Sequence, residues 1–504
     1  MKFIKVYFIL LAILFSKMVS AQSMLERYQK AEQFLPKNIS KLTRNVSLRA
    51  NPVEETSDFW YKLQSEKGEK YFYFDGEKIK TREAFDHIQL AESIQLETGK
   101  NISSDSLELQ DLKFNLKVNT IEFKIDTIFY EVRLDDYSIE KINKKKPIKK
   151  NQSESPDKMW IAEVRDFNLF LINAETDEEF QLTSDGIKKY EYATSLSWYK
   201  MVDESVGEKY DPSIFVSWSN DSKKLVTYRL DRRKVGKLFL YQSLPDSGMR
   251  AKAWSYERAL PGEDPITMEY YIFDVEQKTK VKVDLEPFAD FTSSIYPTWF
   301  EDNKELYFAR FQRGYKAIDL FKVNATTGEV DTLLTDKSET MVEYQTIKCK
   351  WLKDGSEFFW TSERDGWNQI YRYDKNGNLL NQVTKGEFVV NDILKIDEEK
   401  RLVYFIAGGK ESAMDPYYKL LYAVNFDGDS TILLTKEKAN HEVWIPEKGN
   451  YFIDSYSRVN RPTDHVVRSL EDGKIIYRLA SASLDSLFAT GWKYPEQFKV
   501  KARD

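Results

Sequence analysis

The 504-residue chain carries 75 lysines and arginines against 81 aspartates and glutamates, a formal net charge of −6, and a single cysteine, Cys349. The mixed, slightly acidic charge leaves no basic footprint for nucleic acid. One cysteine excludes an internal disulfide, so packing must hold the fold, and an aromatic content of 14% with 30 tyrosines favours strands over helices.

At the start, Lys2 and Lys5 precede an apolar run from Val6 to Phe15, and the small residues Val19, Ser20 and Ala21 stand ahead of Gln22. This is the three-part plan of a secretory signal peptide over residues 1–21, cleaved after Ala21, and it predicts export to the periplasm or the exterior. A run of about ten apolar residues falls short of the roughly twenty that cross a bilayer. Retention as a short anchor is the alternative, and no later segment resembles a membrane span.

Residues 22–49 come next. Leu25, Tyr28, Ala31, Phe34 and Leu35 recur at spacings near three and four, which predicts a short amphipathic helix ending at Pro36. From about residue 50 the pattern changes to short β-rich runs separated by Gly, Asp and Asn turns. A loose unit recurs: an aromatic-led opening, a polar turn, an alternating strand, a second strand rich in Leu and Tyr, and a Leu-Thr close. It begins at Ser155, Ser217, Thr298, Lys350, Lys395 and Val443, and two weaker copies precede these, from Asp58 and Leu112. The anchors Trp299, Trp351, Ile396 and Ile445 lie 45 to 52 residues apart, the length of a four-stranded propeller blade. Eight units predict an all-β, eight-bladed β-propeller over residues 50–485, with a β-sandwich as the alternative. Each blade buries its faces only against its neighbours, so the ring is one unit.

Leu240 to Thr267 interrupts the rhythm. Trp254 and Tyr256 stand there among Arg250, Lys252, Glu257 and Arg258, a mixture of aromatic and arginine residues that interface cores favour. Trp254, Tyr256 and Arg258 are therefore candidate interface residues. Glu363 and Asp365, in SERDGWNQIYRYD, read as ties between strands. Asp374, Asn376 and Gly377 read as a turn, because no terminal glutamate completes a calcium loop. The histidines, His87, His441 and His465, read as turn or surface positions. No metal or cofactor is expected. Beyond 485, Leu487, Phe488, Trp492, Tyr494 and Phe498 make an unusually apolar chain end, which predicts a contact surface with Trp492 at its centre.

Several stretches together resemble the N-terminal propeller of the dipeptidyl peptidase IV family, especially its bacterial members. They are YQKAEQFLPKN, REAFDHIQLAESI, SWSNDSKKLVTYRLDRRKV, YQSLPDSGMRAKAWSYERALPGEDP, DPYYKLLYAVNFDG and ANHEVWIPEKGNYFIDSYSRV. TGWKYPEQFKVKARD is similar to the junction at which that family passes into an α/β-hydrolase, placing such a junction at 486–504. The resemblance implies a propeller that gates and binds peptide substrates for a serine peptidase. The 504 residues contain no Gly-x-Ser-x-Gly elbow, so no catalytic residue is assigned, and the hydrolase is expected on a separate or missing polypeptide. The family holds the substrate's free amine with a Tyr-Glu-Glu motif, and the matching stretch is Tyr190-Glu191-Tyr192-Ala193. Glu191 supplies one carboxylate and Tyr192 replaces the other. In the family an arm from the region of Trp254 joins dimer contacts, so a homodimer is expected. The alternative is a stand-alone exported propeller that binds peptides or a protein partner.

Overall fold

The computed structural model describes residues 24–143, 148–195, 212–289 and 293–503, and the expected signal peptide lies outside them. The all-β expectation holds. Among the described residues, strands form seven four-stranded sheets, one six-stranded sheet and two two-stranded sheets, built from antiparallel pairs.

Local chemistry explains why the strands turn where they do. In the sheet Gln152–Glu154, Trp160–Arg165, Asn168–Asn173 and Glu179–Gln181, the Ser155 hydroxyl donates to Asp157 Oδ1 at 2.6 Å and accepts the Trp160 N–H at 3.0 Å. Lys158 takes a left-handed φ of 63° to close the turn. The same device recurs at Ser219, Asp221 and Ser222, where Ser219 Oγ donates to Asp221 at 2.7 Å and accepts the Lys224 N–H at 2.9 Å. Side-chain oxygens thus satisfy backbone groups that a turn strips of partners.

The described residues form two compact units. One lies within 24–143, 406–423 and 432–503, and the other within 148–195, 212–289, 293–405 and 424–431. In the second unit, consecutive sheets share cores. Strand Lys224–Asp231 is buried on both faces: Leu225 packs with Ala162, Val164, Tyr192 and Phe273, while Val226 packs with Leu306, Phe308 and Val323. Next come Ala309, Ile318 and Leu320 against Phe358, Trp360 and Tyr371. Each fully buried side chain of this size contributes about 1.5–3 kcal/mol.

In the first unit, the sheet Asn51–Pro52, Phe59–Gln64, Glu69–Asp75 and Lys80–Glu83 shares one core with the sheet from Asn440 to Ser481. Phe59, Tyr61 and Phe74 meet Tyr451, Ile453, Val467 and Leu479 there. On its other side, Tyr71 and Tyr73 pack with Leu90, Ala91 and Ile94 of helix His87–Thr98 and with Ile121 and Phe123 of the next sheet.

Two helical details differ from expectation. Residues 24–32 are helical, but Pro36 opens a second, one-turn helix, Pro36–Ile39, instead of ending the first; proline fits a first helical position, where its missing N–H costs nothing. Helix His87–Thr98 carries no strand pattern and was not foreseen. Asp86 caps it by accepting the Ile88 and Gln89 N–H groups, and Gly99 ends it at φ 70°.

Candidate functional site

Glu191 lies on strand Tyr190–Tyr192, which pairs with the far end of Lys224–Asp231. Its side chain is 0% exposed. Arg232, the first residue past that strand, donates Nη2–H to Glu191 Oε1 at 2.5 Å, and the Lys189 backbone N–H donates to the same oxygen at 2.9 Å. Arg232 Nη1 also lies 3.3 Å from Glu257 Oε2, while Lys189 Nζ lies 2.9 Å from Glu257 Oε1. Two carboxylates and two cations form a tetrad. Burial works to raise the Glu257 carboxyl, but Lys189 and Arg232 outweigh it and hold the group below the usual carboxylate range. As arranged, Glu191 is committed to Arg232 and presents no open face to a ligand.

Tyr192, beside it, is buried among charges. Its hydroxyl accepts from Arg229 Nη1 at 2.9 Å and Lys280 Nζ at 2.8 Å and donates to Asp185. Arg229 sits 3.9 Å from the centre of the Tyr190 ring and hydrogen-bonds Glu269. This network orders the strand that carries Glu191.

The interruption after Leu240 is a hairpin arm, Lys237–Gln242 paired with Lys252–Glu257, separate from the six-stranded sheet around it. Trp254 and Tyr256 are half-buried and stand opposite Leu240 and Leu238, so these four share one face. Trp254 Nε1 donates to Gln242 Oε1 at 3.1 Å. Arg258 follows the arm, exposed, with its backbone N–H bonded to Gly236 O. The other face carries Phe239 and Tyr241, 72% and 75% exposed, which sequence reasoning passed over. The alternation in Lys237-Leu-Phe-Leu-Tyr-Gln was the signal.

The histidines are not at the surface. His87, His441 and His465 are all buried, because each ring nitrogen finds a partner inside. The Tyr71 backbone N–H donates to His87 Nε2 at 2.9 Å. His465 Nε2 lies 2.9 Å from Asn45 O, and its Nδ1 2.7 Å from Ser455 Oγ. His441 Nδ1 lies 2.9 Å from Asp454, and its Nε2 3.1 Å from Glu437 O. Glu437, His441 and Asp454 bring ligand atoms within 4.8 Å of one another. Arg468 already takes both carboxylates, at 2.7 Å from Asp454 and 2.6 Å from Glu437, so this group is an ion-pair cluster. Asp365 accepts from Gln382 Nε2 at 2.6 Å, and Asp374 Oδ1 accepts the Asn376 and Asn378 N–H groups; both serve strand connections.

In the tail, Leu487 is buried, and the rings of Phe488, Trp492 and Tyr494 pack on one another with centroids 5.3 to 5.7 Å apart. Trp492 is half-buried and Phe498 exposed.

The family described as the dipeptidyl peptidase IV (DPP IV) N-terminal region matches residues 122–463. The chain belongs to this family. Within the dipeptidyl peptidase IV lineage, the dipeptidyl peptidase 4 of Trichophyton equinum is 30% identical over 129 residues, 25% of this chain and 16% of the relative, and that of Trichophyton rubrum is 30% identical over 131 residues. The crystal structure of Porphyromonas gingivalis dipeptidyl peptidase 4 matches with a TM-score of 0.58 at 19% identity, covering 86% of this chain and 59% of that one. A putative dipeptidyl aminopeptidase IV from Bacteroides ovatus matches at 0.61 and 17%, covering 87% and 61%. These two establish likeness of fold. The chain spans about three-fifths of each solved dipeptidyl peptidase IV-type structure, and the matched stretch is a sixth of the fungal relatives' length.

Proposed function

We propose that the chain is the propeller region of a dipeptidyl peptidase IV-like serine peptidase, an eight-bladed ring over residues 50–485 that binds and admits peptides to an α/β-hydrolase. The family match over residues 122–463 carries this reading. The succession of four-stranded antiparallel sheets, and the core shared by the first and last of them, supports a ring. The leader pattern of residues 1–21 supports export, to the periplasm or the exterior. Phe239 and Tyr241 extend the expected interface of Trp254, Tyr256 and Arg258, and a second copy of the chain is the partner they suit. A stand-alone propeller binding peptides or a protein is the second reading, favoured by the tail rings of Phe488, Trp492 and Tyr494 packing on one another.

The test is co-purification from the host with a fluorophosphonate probe, which labels activated serines. The recovered material is expected to contain a labelled α/β-hydrolase, with these 504 residues themselves unlabelled. A chain that binds peptide and brings no hydrolase supports the stand-alone reading, and a labelled serine within these 504 residues overturns both.

A further inference from the structure

The short strand Asn51–Pro52 covers only the start of the outer edge of strand Phe59–Gln64. Asn51 pairs with Trp60, and the Asn45 side chain takes the Gln64 N–H and C=O. Lys62 stands between these two contacts. Across the sheet it faces Tyr71, whose own N–H and C=O turn the other way, to His87 Nε2 and the Ala84 N–H. Lys62 therefore turns its main-chain N–H and C=O to the outer edge, where residues 46–50 make no backbone hydrogen bond. Within that segment Leu48 and Ala50 pack in the core with Tyr61, while Ser47 and Arg49 line a cavity of about 500 Å³ together with Trp60, Lys62 and Glu69. A second cavity, of about 860 Å³, shares Arg49 and Trp60 and lengthens the groove. Of the three ionic side chains around the smaller cavity, Lys62 and Glu69 pair at 2.8 Å. Arg49 is exposed, and among the described residues its guanidinium has no ion pair and no hydrogen bond.

We propose that this groove is a binding site for a short extended peptide that ends in a carboxylate. The carboxylate pairs with Arg49, whose planar fork matches two carboxylate oxygens. A neighbouring peptide residue exchanges main-chain hydrogen bonds with Lys62, the one edge-facing residue of the strand left open, and an apolar side chain covers the half-buried Trp60 ring. Trp60 and Gln64 lie about 13 Å apart along an extended strand, and a tripeptide spans about 10 Å, so three residues fit between the two existing contacts. A small acid such as acetate answers Arg49 and leaves Lys62 open; a peptide answers both. Glu191 belongs to the other unit, and this site uses no free amine, so the proposal stands apart from the substrate-amine reading.

The probe is acetyl-Ala-Leu-Ala with a free C-terminal carboxylate, compared with its C-terminal amide. Its acetyl group removes the amine on which a site at Glu191 depends, so failure here and failure of the proposed function are told apart. Calorimetric titration of the full chain should show the acid binding at least about tenfold more tightly than the amide, the scale of a hydrogen-bonded charge pair. Arg49→Gln should bring the acid down to the affinity of the amide. That side chain is exposed, so the variant is expected to fold, and Arg313→Gln, at another exposed arginine, should change nothing. Hydrogen exchange by mass spectrometry should show the peptide slowing exchange across 59–64, a segment that acetate at the same concentration leaves unchanged. The proposal is overturned if the acid peptide does not bind at millimolar concentration, or if acid and amide, or wild type and Arg49→Gln, bind equally. Binding that adds no protection across 59–64 places the peptide elsewhere and overturns it too, and protection by acetate equal to that by the peptide removes the peptide as the ligand.

Discussion

Burial sets the acid response of His87 and His465. It is the largest influence on each ring and pushes both below the ordinary imidazole value of 6.5. Glu83, for His87, and the Asn45 carbonyl, for His465, oppose it without prevailing. The folded protein therefore holds these rings neutral, while the unfolded chain takes up protons as pH falls through 6.5. Stability present above pH 6.5 is lost as pH falls below it, until the folded values are reached, at up to about 1.4 kcal/mol per pH unit for each histidine. Urea unfolding at pH 7.5, 6.5 and 5.5 should show this slope, and His465→Gln and His87→Gln should each flatten it. Equal slopes in the variants would show that other groups govern the range.

Strands were legible in the sequence because the alternation that writes them is local. Glu357–Ser362 and its partner Gln369–Asp374 fall in one recurring unit, and the Ser155 and Ser219 turns are spelled within six residues of chain. Helix His87–Thr98 was missed because exposed Ile88 and Leu96 blur the stripe made by Leu90, Ala91 and Ile94. The closed state of Glu191 was illegible for another reason: Arg232 is 41 residues away, and Glu257 a further 25, and no spacing rule connects such positions. The cap of the missed helix is testable. Asp86 lies below the usual carboxylate range because Gln89, through side chain and backbone, and Ile88 donate to it. Asp86→Ala should cost about 1 kcal/mol in urea unfolding at neutral pH, and Asp86→Asn only a fraction of that. Equal losses in the two would assign the effect to charge instead of capping.

A chain of sheets that pack only on their neighbours leaves its first and last members each with an open face, unless the two meet. Here they meet, and the segment before the first strand fastens them. Arg44 and Ser483 exchange backbone hydrogen bonds at 2.9 Å each way. The Asn45 side chain copies a strand partner, accepting the Gln64 N–H at 2.8 Å and donating to Gln64 O at 3.1 Å, while its own carbonyl lies 2.9 Å from His465 Nε2. Asn45 thus bridges strand Phe59–Gln64 of the first sheet and strand Arg461–Ser469 of the last, from a left-handed φ of 52° that asparagine tolerates better than most residues. Asn45→Ala removes two hydrogen bonds and strains the backbone, and should lower the unfolding free energy by about 2–3 kcal/mol. Asn45→Gly removes the same bonds without the strain and should cost about 1 kcal/mol less. The core joining Phe59 and Phe74 to Tyr451 lies directly behind this clasp, so loosening it should also raise tryptophan exposure at Trp444, which packs 6.0 Å from Phe59. Iodide quenching of the single-tryptophan Trp444 protein, with and without Asn45→Ala, reads this directly. Unchanged quenching with unchanged stability would mean that the shared core alone holds the two sheets together.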